Sequence, residues 1–416
     1  MKIILLLVIL VIMASCLLHA QHESDNWYFG DHSGISFKNG LPVPVIGSLY
    51  SFEGCASISD KNTGELLFYT NGDTVWNRHH KIMTNGIGLL GGISSTQSVL
   101  IVPDPVDIQQ FYIFTAPDLS PEDMNIKTTS LHYSLIRLQN IDGEVVSKNN
   151  FLIDGVAEKL TGTTDCSGNG FWVISHARNQ NIFYSIHVTS TGIISASIVS
   201  TYNATVFDHL AGSIKISPDG TKIALATWNN PSCLMLFDFN KVDGVISNCM
   251  SLGLGEIYNY GLSFSPDNTK LFVSGTTLSQ YEINLTDVNA IRTSKVILKT
   301  SNYPGALQLG KDGKIYVASR QAQGFKRFLD VINHPNLKGV TCGFGTDAVP
   351  LINNCLWGLP NFMDYNFGHS TDTSVICLSN ASRIGPPPFP GYSYSWSPAT
   401  GLDNPTIANP IASPSQ

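Results

Sequence analysis

Apolar and polar residues along this chain alternate in short runs broken by turn residues. The clearest instance is residues 211–227, AGSIKISPDGTKIALAT. Ile214 and Ile216 alternate with polar neighbours, Ser217-Pro218-Asp219-Gly220 follows, and Ile223 to Ala226 is again apolar. A period of two marks a strand with one buried face, and Pro-Asp-Gly supplies the turn between two such strands. The layout recurs at residues 261–273, GLSFSPDNTKLFV, and at residues 305–317, GALQLGKDGKIYV. Looser versions begin near Gly54, Ser98, Gly162 and Gly358. These starts fall roughly 45 to 65 residues apart, the spacing of four-stranded propeller blades.

The pattern therefore predicts an all-β chain: a seven-bladed β-propeller whose inner strands are the seven starts. The seventh start, at Gly358, has no following strands of its own. Two strands at residues 26–37 are left over at the beginning, and the reading gives them to that last blade as its outer strands, closing the ring and removing its open edge. Glycines at most of the starts fit inner strands whose backbones crowd one another. After Asn366 the pattern changes. Gly385-Pro386-Pro387-Pro388-Phe389-Pro390 is stiff and unsuited to a central strand. Residues 392–398, YSYSWSP, then alternate aromatic with serine, as in the opening strands of a β-sandwich that the 416-residue chain does not finish. The expected organisation is a signal peptide at 1–20, a propeller at 21–367, and a linker with a partial Ig-like or PKD-like module at 368–416.

Composition sharpens this in two places. A net charge of −7 with few charged residues offers no basic patch for nucleic acid. Lys2, the apolar run 3–13 and Leu18-His19-Ala20 read as a secretory signal, too short for a membrane span, with lipidation at Cys16 as an alternative. No other stretch could cross a bilayer, so the expected location is secreted or at the outer cell surface. Export opens the question of disulfides, with Cys233/Cys249 and Cys342/Cys355 the nearest pairs in sequence and buried free thiols the other reading.

Candidate chemistry gathers where inner strands begin, over the channel. The residues there are Glu53, Gln97, Glu158, Lys159, Asp208, His209, Tyr260, Tyr303 and Trp357. Aromatic faces mixed with polar groups suit a sugar or a peptide. Glu53 and Glu158 could instead form the carboxylate pair of a glycoside hydrolase. Asp208-His209 lacks a nucleophile elbow, His79-His80 would diverge along a strand, and the Ser-Pro-Asp-Gly turns lack the acidic ladder of a calcium loop. No cysteine or histidine spacing suggests zinc, no catalytic residue is assigned, and no cofactor is expected.

Several segments together resemble a known family. Residues 26–30 (NWYFG), 53–60 (EGCASISD), 66–72 (LLFYTNG), 75–77 (VWN), 88–92 (GLLGG) and 94–98 (SSTQS) look like the N-terminal propeller of large secreted Bacteroidetes surface proteins. Residues 372–377 and 394–402 resemble the first strands of the Ig-like or PKD-like repeats that follow it there. The resemblance implies a gliding-motility-associated, type IX secreted protein, C-terminally truncated here. It implies adhesion or recognition of an extracellular glycan or surface protein. A polysaccharide-acting propeller hydrolase or lyase is the alternative.

Overall fold

A computed structural model describes residues 22–119, 126–139, 142–205, 210–228, 232–256, 258–300, 304–321, 324–364, 381–385, 394–396 and 399–413. The predicted signal segment lies outside these. The regular elements of the described chain are almost all strands, with one short helix, Val288–Thr293, and one 3-10 turn, Gly339–Cys342.

The turn chemistry of the repeated hairpin is what the sequence suggests. Ser217 Oγ donates to Asp219 at 2.6 Å, Asp219 accepts the Thr221 amide at 3.0 Å, and Ser217 Oγ accepts the Lys222 amide at 2.9 Å. Ser265, Asp267, Thr269 and Lys270 repeat the same bonds. Each Asp thus satisfies the backbone of its own turn, leaving it little capacity as a ligand. The hairpins pair as expected, Ile214 with Leu225 and Ile216 with Ile223.

Successive hairpins extend into small antiparallel sheets. Val156–Thr164 opens a five-stranded sheet, and Ile214–Ile216, Leu262–Phe264 and Pro304–Leu309 each open a four-stranded one. Ala56–Ser59 and Val99–Pro103 lie at the two edges of one eight-stranded sheet, whose halves share a single ladder pair, the parallel Glu144 and Thr84. Apolar clusters lie between neighbours. Ile174 and Phe183 pack with Ile214 and Phe237, Ala224 and Leu234 with Leu262 and Leu271, and Phe272 with Leu307 and Val317. The circuit returns to its start where Trp27, Phe29 and Ile35 pack with Tyr316, Leu329 and Leu351. This is a propeller-like arrangement of small sheets.

Two expectations are corrected. Five sheets have four or more strands, not seven. The leading strands also do not complete a blade begun at Gly358. Asn26–Phe29, Asp31–Ser36 and Val43–Tyr50 form a sheet of their own. All four residues of Asn26–Phe29 are buried, which an outer strand would not show. This strand lies beside Ala56–Ser59, with Ser57 Oγ donating to the Asn26 carbonyl at 2.6 Å. The stretch after Gly358 is not a strand. It makes isolated bridges from Pro360 to Cys55 and from Asp364 to Thr163. Asn361 donates from its amide to the carbonyls of Val99 and Leu160. Proline at 360 lacks the amide hydrogen a ladder needs, so this segment crosses inner strands instead of extending a sheet.

Cys55, Cys166, Cys233, Cys249, Cys342 and Cys355 are free thiols, so neither pair suggested by sequence proximity is bonded. In the C-terminal part, Ser382–Arg383 pairs with Ile411–Ala412, while Tyr394 to Trp396 form no strand. No helix among the described residues is long and apolar enough to cross a membrane.

Candidate functional site at the strand entries

Close backbone approach builds the site. A Cβ on Gly358 would lie 1.5 Å from the Glu53 carbonyl, and one on Gly305 would lie 2.4 Å from that of Trp357. Only glycine lets these chains touch. The Trp357 amide then donates to Phe52 O at 2.9 Å, and Ala306 N donates to Trp357 O at 2.8 Å. Trp357 and Glu53, three hundred residues apart in the chain, are fixed side by side.

Around them an aromatic group assembles from four different entries. Trp357 stacks on Phe52 with centroids 6.4 Å apart and planes at 19°. It meets Trp228 and Tyr260 edge to face, each at 5.4 Å. Tyr258 lies over Trp228 at 4.8 Å and 33°. Tyr260 is buried, whereas Trp228, Tyr258 and Trp357 keep part of their surface exposed. Trp357 Nε1 is enclosed without a hydrogen-bond partner.

The carboxyls sit beneath this group. Glu53 accepts from the Tyr260 hydroxyl at 2.9 Å. Burial, and then the neighbouring Glu158, push Glu53 up to about 8, even though its residue retains some solvent contact. Glu158 is buried and accepts from Thr96 N at 3.0 Å, Thr96 Oγ at 3.2 Å and Leu119 N at 2.9 Å. Burial still dominates, raising it to about 7. Tyr260 is held well above its ordinary value by burial and then by Glu53.

Of the residues expected from sequence, Glu53, Tyr260 and Trp357 meet directly, and Glu158 is tied to Thr96 just before Gln97. Gln97 and Lys159 are turned inward. The Gln97 amide group donates to Ile214 O at 2.9 Å and accepts from Ile214 N at 2.8 Å. Lys159, fully buried, donates from Nζ to the carbonyls of Ala211 at 2.7 Å and Ala226 at 3.0 Å, and to that of Gly212. These two residues brace neighbouring strand entries. Asp208, His209 and Tyr303 lie outside the described residues. Thr96, Trp228 and Tyr258 were missed. Trp228 ends the inner hairpin of its repeat and Tyr258 precedes Tyr260 by two, so scoring both ends of each inner strand would have found them. His79 is exposed, and His80 bonds the Tyr69 hydroxyl at 3.1 Å, so the two histidines do diverge. A separate groove of about 330 Å³ is lined by Leu119, Asp154, Arg178 and Tyr184, and none of the expected site residues reaches it.

No family model and no curated protein matches the sequence. Solved structures do show a general likeness. A functionally unknown protein from Desulfotomaculum acetoxidans is 16% identical, with 74% of this chain and 82% of that chain covered and a TM-score of 0.40. Hsv2 from Kluyveromyces lactis is 10% identical over 74% and 90%, with a TM-score of 0.42. A protein from Lactobacillus plantarum is 11% identical over 74% and 98%, with a TM-score of 0.37. Likeness at this level is too slight to bring any activity to this chain.

Proposed function

We propose that the protein is a secreted or cell-surface recognition module, without catalysis, that binds carbohydrate or protein through its strand-entry face. The observation that carries this reading is the group Phe52, Trp228, Tyr258, Tyr260 and Trp357, drawn from distant parts of the chain and set around the hydrogen-bonded pair Glu53 and Tyr260. Partly exposed aromatic faces with few polar groups suit the apolar face of a sugar ring or an aromatic-rich peptide.

The chain is exported by its N-terminal signal along the type IX route, and residues 368–416 open an Ig-like or PKD-like stalk. These assignments rest on sequence and family resemblance.

A second reading, a polysaccharide hydrolase or lyase, is favoured by one observation: Glu53 and Glu158 interact and both are raised towards neutrality. Against it, both oxygens of Glu158 are engaged by the chain itself. Screening the purified protein against glycan and surface-protein arrays, with turnover assays alongside, separates the two. Binding without turnover is the expected result. Hydrolysis that disappears in the Glu53→Gln, Glu158→Gln double variant would overturn the binding-only reading.

A further inference from the structure

The backbone of Tyr258 carries a conformation that the fold has no evident use for. Its φ is +62°, in the left-handed region that a bulky aromatic residue adopts only under strain. Its surroundings lock it there. A Cβ at Gly275 would lie 2.2 Å from the Tyr258 carbonyl, so the bend between Lys270–Val273 and Thr277–Glu282 runs directly against it. The next residue, Asn259, is buried and donates to Ser232 Oγ at 3.1 Å, and Tyr260 N donates to Ser274 O at 2.7 Å. A glycine or asparagine would satisfy this turn without strain. What tyrosine adds is a ring tilted by 33° over Trp228 at 4.8 Å, with part of its surface open.

The ring spacings say what can bind. Trp228, Tyr260 and Trp357 are mutually near-perpendicular with centroids 5.4 to 5.7 Å apart. They touch one another and leave no room for a cation between them, so they are not a cage for a quaternary ammonium group. A ligand must lie on the outer faces. Charge narrows the choice further. The groups acting on Glu53 are Glu158, Tyr260, Thr96 and Asp118, none of them a cation. Those acting on Glu158 include Asp118 and Lys159, and the Lys159 ammonium already serves three carbonyls. A uronate would face three carboxyl groups. An amino sugar would need Glu53 ionised, which its burial opposes.

We propose that Tyr258 is a strained, specificity-determining platform that, with Trp228, stacks against a neutral saccharide whose hydroxyl groups are read by Glu53. This rests on the recognition reading above.

The test uses the full chain and an array of neutral gluco-, xylo-, manno- and galacto-oligosaccharides, uronate oligosaccharides and chitosan oligomers, followed by titration calorimetry on the best neutral ligand. Tyr258→Ala is expected to weaken binding about tenfold or more, Tyr258→Phe to stay within about twofold, and Tyr258→Gly to lose binding while melting no lower than the parent. Unchanged affinity in Tyr258→Ala overturns the platform but leaves the recognition reading standing. A Tyr258→Gly melting point lower by more than about 5 °C makes the ring structural and overturns it equally. Preference for uronates or chitosan overturns the neutral-sugar assignment alone. Absence of any saccharide binding by the parent overturns this inference, and a protein ligand found on the parallel array would still sustain the broader reading.

Discussion

Two buried acidic sites in this molecule were built in opposite ways. Asp330, fully buried between the last strands, is surrounded by partners: Lys326 at 3.2 Å, Lys299 at 3.2 Å, Ser319 Oγ at 2.7 Å and the Asp347 amide at 2.8 Å. Burial would raise its carboxyl, but these hydrogen bonds and cations outweigh it and hold it below the ordinary value. Glu53 at the strand-entry face has a tyrosine hydroxyl and a second glutamate, and it rises to about 8. The first arrangement compensates a buried charge. The second leaves a carboxyl raised by burial beside open aromatic faces, the arrangement on which the proposed recognition site rests.

The largest effect expected is on the paired site. Asp330→Ala strands the buried Lys326 ammonium with only Asp347, and should cost about 3 to 5 kcal/mol in urea unfolding. It should leave ligand binding untouched. A cost under about 1 kcal/mol would erase the contrast. Next comes Glu53→Gln, which keeps an oxygen for Tyr260 and removes the ionisable group. It should stabilise the chain by about 2 kcal/mol or more at pH 8 while weakening ligand binding. Smaller still is Asp219→Ala, which removes the bonds of one repeated turn and should cost about 1 kcal/mol by the same unfolding assay. Ligand affinity should not move, since this Asp serves the turn. Smallest is Trp357→Phe, which retains a ring and deletes the unpartnered Nε1 donor. Its stability should stay within about 0.5 kcal/mol of the parent. A large loss there would mean the donor is already satisfied in the free protein.

The repeated hairpins were legible in the chain because strand alternation and Ser-Pro-Asp turns are local signals, and the register at Ile214 to Leu225 agrees with them. Closure was misread. Nothing local distinguishes an inner strand from an outer one at residues 26–29, and only burial on both faces does. The crossing segment after Gly358 looked like one more strand because its pattern resembles one, while Pro360 and long-range packing decide otherwise. At the site, choosing positions just before inner strands found Glu53, Tyr260 and Trp357. It could not tell that Lys159 and Gln97 turn inward, because that depends on carbonyls 50 to 120 residues away in the chain. The strain at Tyr258 is likewise a backbone property with no sequence signature.

Ionising the strand-entry carboxyl costs the fold stability. Glu53 is raised from 4.5 to about 8, so the stability linked to its protonation is complete below pH 4.5 and is lost as pH rises through 8. Asp330 is lowered from 3.8, so its contribution is present above that value and lost as pH falls below it. Urea unfolding of the parent and of Glu53→Gln, run in steps from pH 4.5 to pH 9, tests this most directly. Near-equal stabilities are expected at the acid end, with a gap that widens in favour of Glu53→Gln until it levels off above pH 8. Parallel curves, or a gap that favours the parent at pH 8, would contradict it.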